Sequence, residues 1–195
     1  MIKRELYMSR IRPFIGGELI KVMTGIRRSG KSVMLDLIKE ELVESGIDSA
    51  QFISINFEDM RYAYLCNAQV LHEEILHRAE TIQGKVYLFF DEIQEVKDWE
   101  KCINSLRVAL DCDIYITGSN AKLLSGELAT YLGGRYVEFV IYPFSFAEFL
   151  ELYRPIAPQA SIQQCFQKYL LSGGMPYLAN LRYAEEPSRQ YLTDV

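Results

Sequence analysis

Near the amino end, Gly25-Ile26-Arg27-Arg28-Ser29-Gly30-Lys31-Ser32 fits the pattern G-x-x-x-x-G-K-[ST]. Each residue type in that pattern has a task in holding an anion. Gly25 and Gly30 let the backbone wrap a phosphate with its N–H groups, and the positive end of a helix starting near Lys31 adds to the attraction. Lys31 would neutralise β and γ phosphates, and the Ser32 hydroxyl would ligate Mg²⁺. With Val33, these residues form the candidate nucleotide-binding set. Arg27 and Arg28 read either as phosphate contacts or as a solvated positive rim. Further on, Val86-Tyr-Leu-Phe-Phe-Asp91-Glu92 is an apolar strand ending in two carboxylates. Asp91 would hold a Mg²⁺-bound water, and Glu92 would orient and polarise the water that attacks the γ phosphate. The plainer reading is a pair of acids opening a solvated loop that runs on to Glu95.

Three further places offer polar groups. Asp113-Ile-Tyr-Ile-Thr117 is followed by Gly118-Ser119-Asn120, small polar residues where a parallel sheet meets its ligand. Asn120 reads as a hydrogen-bond donor to the γ phosphate or attacking water, or as the cap of a short helix over 121–124. Thr117 and Ser119 are weaker candidates for the same role. Arg135, after Gly133 and Gly134, could reach a phosphate in a neighbouring subunit, or pair on the surface with Glu138 or Glu127. In Asn56-Phe-Glu58-Asp59 the acids either add a carboxylate near the metal or cap the next segment. His72 and His77 are five apart, not the four of H-E-x-x-H, so they leave a common helix face and do not read as a zinc pair.

These groups must be carried by a scaffold. Apolar, β-branched runs over 19–24, 51–57, 85–91, 113–117 and 136–141 alternate with helical patterns, the signature of an α/β fold with a helix-covered parallel sheet. The first helix carries Val33, Met34, Leu37, Ile38 and Leu42 on one stripe, with Gly46 placed to end it. The second carries Val70, Leu71, Ile75, Ala79 and Ile82. The third repeats Trp99, Ile103, Leu106 and Leu110, with Asp98 as its cap. Pro143 stops the last strand, and helices follow over 145–153 and 161–171. After a turn over 171–176, a final helix from Glu186 reaches the end of the chain without a stop signal. The expected organisation is a core over 1–142, with 1–18 near the nucleotide and Tyr7 to Ile15 as candidates for the base pocket, and a small helical region over 143–195.

The chain has 195 residues, 49% hydrophobic and 24% charged, with a formal net charge of -5. That is a globular composition without strong whole-surface attraction to nucleic acid or anionic lipid. Residues 1–31 nevertheless hold eight basic residues against Glu5 and Glu18. No apolar run approaches the roughly 20 residues that cross a bilayer. Cys66, Cys102, Cys112 and Cys165 form no C-x-x-C pair and read as reduced thiols, which favours the cytoplasm.

Taken together, the GIRRSGKS loop, the LFFDEIQ strand, the TGSN strand end and the GGRY turn resemble the AAA+-like P-loop ATPases of the additional-strand glutamate class. The opening Lys3-Arg-Glu-Leu-Tyr7, Asn56-Phe-Glu-Asp59 and the stretch from Gly134 to Ser145 are similar to a group of prokaryotic AAA-family ATPases. The resemblance implies a three-layer P-loop NTPase sandwich with a five-stranded parallel sheet in the order 5-1-4-3-2 and a small helical appendage. It implies Lys31 and Ser32 in the phosphate loop, Asp91 and Glu92 as metal partner and catalytic base, and Asn120 as a γ-phosphate sensor. Arg135 would act in trans within a homo-oligomer. Members usually continue into a C-terminal region that binds nucleic acid or protein partners, so the chain is expected to be the N-terminal portion of a longer protein.

The expected activity is Mg²⁺-dependent hydrolysis of ATP to ADP and phosphate, without a membrane. A nucleotide-binding switch with little turnover is the alternative. A small-molecule kinase fits poorly, because no Arg-rich lid lies between the third and fourth strands. No Asn-Lys-x-Asp guanine-reading motif occurs, which favours adenine.

Overall fold

In a computed structural model, residues 2–119 and 132–194 are described. They pack as two units. One comprises Glu5–Gly25 and Lys31–Val140, and the other comprises Met1–Arg4, Ile26–Gly30 and Ile141–Val195.

The first unit contains five parallel strands, β1 (Ile20–Thr24), β2 (Phe52–Asn56), β3 (Val86–Asp91), β4 (Cys112–Thr117) and β5 (Tyr136–Val140), in the order β2-β3-β4-β1-β5. This is the 5-1-4-3-2 order implied by the family resemblance. The strands β1 and β3 are buried at every position, which suits the apolar run of β3, whereas β1 carries the charged Lys21 in its buried interior. The helix α1 (Glu5–Ile11) precedes β1, and α2 (Lys31–Glu44), α3 (Ala68–Ala79) and α4 (Trp99–Ala109) run between successive strands.

Period-two alternation sorts the strand residues onto two faces. Ile53, Ile55, Leu88, Phe90, Ile114 and Ile116 pack with Leu71 and Ile75 of α3 and with Ile103 and Leu106 of α4. On the opposite face the rings of Phe89 and Tyr115 stack at 4.9 Å, and Lys39 of α2 lies over the Phe89 ring.

Helix boundaries show where local sequence was misleading. α2 exposes Val33 and buries Met34, Leu35, Ile38 and Leu42, and Gly46 at φ 96° follows its end. α3 is capped by Asn67, whose side-chain oxygen accepts from the Gln69 and Val70 N–H groups. Val70 then faces outward, and Ile82 lies beyond the helix. Asp98 precedes α4 but does not cap it. A capping side chain needs an extended backbone, whereas Asp98 is left-handed at φ 57° and its carboxylate accepts from Lys101 instead.

Three of the basic residues near the amino end, Arg4, Arg12 and Lys21, are engaged in ion pairs within the protein. Arg12 bridges Glu5 and Glu41. Lys21 is fully buried against Asp113, whose other oxygen accepts from the Tyr115 hydroxyl at 2.8 Å and the Gly16 N–H at 2.6 Å. Burial pulls the Lys21 ammonium below its ordinary pKa against the opposing pull of Asp113. Arg4 pairs with Glu148 in the second unit.

The second unit is built from α5 (Phe146–Tyr153), α6 (Ile162–Ser172) and α7 (Glu185–Thr193). α5 and α6 each open on a reciprocal cap, Ser145 with Glu148 and Ser161 with Gln164. Phe149 is fully buried, and the rings of Tyr153, Tyr169 and Tyr183 lie about it with centroids at 5.0, 5.3 and 4.9 Å. Gly173, at φ 72°, ends α6. A Cβ on Gly174 would stand 2.1 Å from the Phe144 carbonyl oxygen, so glycine is required there.

The four cysteines are free, and burial pushes the Cys102 thiol up to about 12. Among the described residues, no helix is long and apolar enough to cross a membrane.

Candidate functional site

The carboxyl ends of parallel strands gather residues that are distant in sequence. β1 ends at Thr24 and α2 begins at Lys31, so the Gly-rich segment is the whole connection. Gly25 at φ 142° and Gly30 at φ 98° use conformations open to glycine, and Arg28 at φ 64° adopts a left-handed one at a cost. Lys31 is buried, and its Nζ donates to the Gly25 carbonyl at 3.3 Å. The side chain therefore folds back along its own loop. Ser32 and Val33 are exposed on the first turn of α2.

Asp91 ends β3 with 6% of its surface exposed. Its register partner on β2 is Asn56, whose Nδ2 donates to Asp91 Oδ2 at 3.1 Å. Thr117, at the end of β4, donates its hydroxyl proton to Asp91 Oδ1. Both partners are neutral, so they fix the carboxylate without cancelling its charge.

Glu92 leaves the strand in a left-handed conformation, φ 54° and ψ 50°, and opens a short 3-10 turn over Ile93–Glu95. Its N–H donates to the Thr117 Oγ1 at 3.0 Å. Oε1 of Glu92 lies 3.8 Å from Lys31 Nζ, and Oε2 accepts from Gln94 Nε2 at 2.6 Å. The Gln94 Oε1 is buried and makes no hydrogen bond.

Lys31, Asp91 and Glu92 are thus brought together at one sheet edge. A buried cation, an acceptor-only carboxylate held by neutral donors and a second carboxylate turned out of the strand suit a phosphate with a hard divalent cation. Hydroxyl and carboxylate oxygens, such as those of Ser32 and Asp91, are the donors that Mg²⁺ prefers.

Ile26, Arg27, Arg28, Ser29 and Gly30 pack in the second unit, where the Arg28 guanidinium lies 5.5 Å from the Tyr191 ring centroid. Arg135 is exposed in the turn before β5, and its carbonyl accepts from the Ile20 N–H at 3.0 Å. Glu138, a suggested partner for Arg135, accepts from the Thr24 hydroxyl at 2.6 Å. Asp59 caps the 3-10 turn over Met60–Leu65 and pairs with Arg61, which fits the plainer reading of its segment. Asn120, the 121–124 segment and Glu127 lie outside the described residues.

Sequence reasoning undervalued Thr117, read Asn56 only as part of an acidic segment, and missed Gln94. The signal for Asn56 and Thr117 was their position as the last residue of a strand. What they hold depends on register, which the sequence does not display.

Comparison with known proteins places these observations in a wider set. A family model described as an AAA domain matches residues 18–150. An uncharacterized protein of Haemophilus influenzae is 42% identical over 190 residues, 97% of this chain and 47% of that protein. An uncharacterized protein of Methanocaldococcus jannaschii is 36% identical over 166 residues, 80% of this chain and 35% of that one. The chain therefore spans half or less of the length of these relatives. Among solved structures, PCH-2 of C. elegans superposes with a TM-score of 0.61 at 12% identity, covering 97% of this chain and 65% of that one. The replication initiator DnaA bound to AMPPCP and single-stranded DNA gives 0.61 at 12%, covering 98% and 65%. A P216G mutant of Thermotoga maritima RuvB gives 0.57 at 19%, covering 98% and 62%. At such identities the likeness is one of fold.

Proposed function

The chain belongs to the AAA domain family, and on that premise we propose that it binds ATP with Mg²⁺ and hydrolyses it to ADP and phosphate. The observation that carries the reading is the meeting of Lys31, Asp91 and Glu92 at the carboxyl edge of the sheet. Mg²⁺, when bound, would neutralise charge developing on the phosphate oxygens. Ser32 and Asp91 are the residues to hold it. Gly25 to Val33 wrap the phosphates, and Lys31 exchanges its contacts with Gly25 and Glu92 for the terminal phosphates. Glu92, released from Lys31, accepts a hydrogen bond from the attacking water and aims it at the γ phosphate. The fixed carboxylate of Asp91 and the bond from the Glu92 N–H to Thr117 keep the two acids from drifting apart.

Adenine is favoured by the lack of a guanine-reading motif. Asn120 as γ-phosphate sensor and Arg135 as a trans-acting contact in a homo-oligomer complete the proposal. A protein or nucleic-acid partner would engage the portion of the longer relatives beyond this chain. Phosphate release from Mg-ATP, lost in Lys31→Ala and in Glu92→Gln, tests the reading, and release unaffected by either substitution contradicts it.

One observation favours the alternative of a slow nucleotide switch. Gln94 and Lys31 both engage the Glu92 carboxylate, so the base is occupied before any water reaches it. ATP recovered intact after prolonged incubation with binding-competent protein would support that reading.

A further inference from the structure

Arg4 stands outside every role assigned above, yet it is one of the most completely engaged side chains in the second unit. It is 2% exposed, and its backbone is left-handed at φ 46°. The guanidinium donates in three directions: Nε to Glu148 Oε1 at 2.8 Å, Nη1 to the Ser29 carbonyl at 2.9 Å, and Nη2 to the Tyr142 carbonyl at 2.7 Å. Its charge also lies 5.2 Å from the Phe144 ring centroid.

The Ser29 contact bears on the phosphate loop directly. In a trans peptide the C=O and the following N–H point in opposite directions from one rigid plane. By holding the Ser29 oxygen, Arg4 fixes the direction of the Gly30 N–H, a group in the loop that would face an anion. A Cβ added to Gly30 would lie 3.4 Å from Arg4 Nη1, so the guanidinium also lies close to that glycine.

The Glu148 contact carries the same constraint into a helix. Glu148 Oε2 accepts from the Ser145 N–H at 2.8 Å and from the Ser145 hydroxyl at 2.9 Å, closing the cap of α5. Burial would raise the Glu148 carboxyl, but the hydrogen bonds from Arg4 and Ser145 hold it below its ordinary value. The segment between is fastened as well, because the Phe144 N–H donates to Gly174 and the Phe144 carbonyl accepts from Tyr169. Only a planar, multiply donating cation satisfies three acceptors in these directions, so lysine is not an equivalent.

We propose that Arg4 is a positioning residue that sets the Ser29–Gly30 peptide for phosphate binding and, through Glu148, couples occupancy of the loop to the start of α5. The proposal rests on the reading of Gly25–Ser32 as a phosphate cradle. Coupling of this kind is reciprocal: whatever orders the α5 cap favours the nucleotide-ready loop, and nucleotide orders the cap.

The test is titration of the 195-residue chain with a fluorescent ATP analogue, with amide hydrogen exchange followed over residues 142–150. Wild type should bind and Lys31→Ala should not; equal binding by the two defeats the cradle reading and the proposal with it. Given that difference, Arg4→Lys, verified as folded by its melting transition, should bind about tenfold more weakly, the scale of a lost charged hydrogen bond. It should also lose the slowing of exchange that ATP produces over 142–150. Affinity equal to wild type in folded Arg4→Lys overturns the proposal while leaving the cradle intact. Should the variant not fold, wild-type exchange decides: slowing at the Glu148 and Phe149 amides on adding ATP supports the coupling, and no change refutes it.

Discussion

The ammonium of Lys31 stands 3.8 Å from the carboxylate of Glu92, with both side chains largely withdrawn from solvent. The pair makes Glu92 a competitor of phosphate for the same cation. Glu92→Gln removes that competitor together with the base. Turnover should fall by about 10²- to 10⁴-fold, the range of a positioned general base. ATP affinity should hold or tighten by up to about fivefold, the scale of an ion pair held as far apart as 3.8 Å. Equilibrium titration beside single-turnover phosphate release checks both halves, and weaker binding would contradict the competition.

Thr117 supports two groups at once, donating to Asp91 and accepting from the Glu92 N–H. Thr117→Val keeps the shape and removes both bonds. We expect a stability loss of about 1–3 kcal/mol from the buried groups left unpaired. The Mg²⁺ concentration for half-maximal turnover should rise. Urea unfolding and a Mg²⁺ titration measure these effects, and an unchanged Mg²⁺ requirement would remove Thr117 from the site.

Lys21 sits near the amino end of β1, away from the strand's carboxyl edge, fully buried on Asp113. Lys21→Met leaves a buried carboxylate with only its neutral donors, so unfolding should become easier by about 3–5 kcal/mol. Nucleotide affinity of the folded fraction should be unaltered. Loss of affinity at full folding would show that this pair also shapes the site.

The Glu148 carboxyl is held below its ordinary pKa of 4.5 in the folded chain. A depressed folded pKa contributes stability that is present above the unfolded value and is lost as pH falls through the folded one. Melting temperatures of wild type and Glu148→Gln should therefore converge as pH falls below about 4.5. A separation that stays constant down to pH 3 would mean that the charge of Glu148 contributes nothing.

Much of the fold was legible because strands such as Val86–Asp91 are apolar runs closed by charged or glycine-rich ends. Strand boundaries agreed within about one residue for the same reason. The order of strands was available only through family likeness, since periodicity carries no information about lateral neighbours. Local rules failed at Asp98, whose left-handed backbone defeats the capping its residue type suggests, and at Val70, which is exposed on the first turn of α3 while Leu71 and Ile75 are buried. In the site, Lys31, Asp91 and Glu92 were visible from motif spacing. The hold of Asn56 and Thr117 on Asp91 depends on sheet register, and the hold of Arg4 on Glu148 spans 144 positions, so neither leaves a local trace.

The most direct test of the account is phosphate release from Mg-ATP, followed over a wide range of protein concentration with Lys31→Ala as background. Release above that background, with specific activity rising with concentration, is the result the account predicts for a hydrolytic site completed by a neighbouring copy through Arg135. Release no greater than that of Lys31→Ala, at concentrations where ATP is bound, would contradict hydrolysis by this chain and leave nucleotide binding as its function.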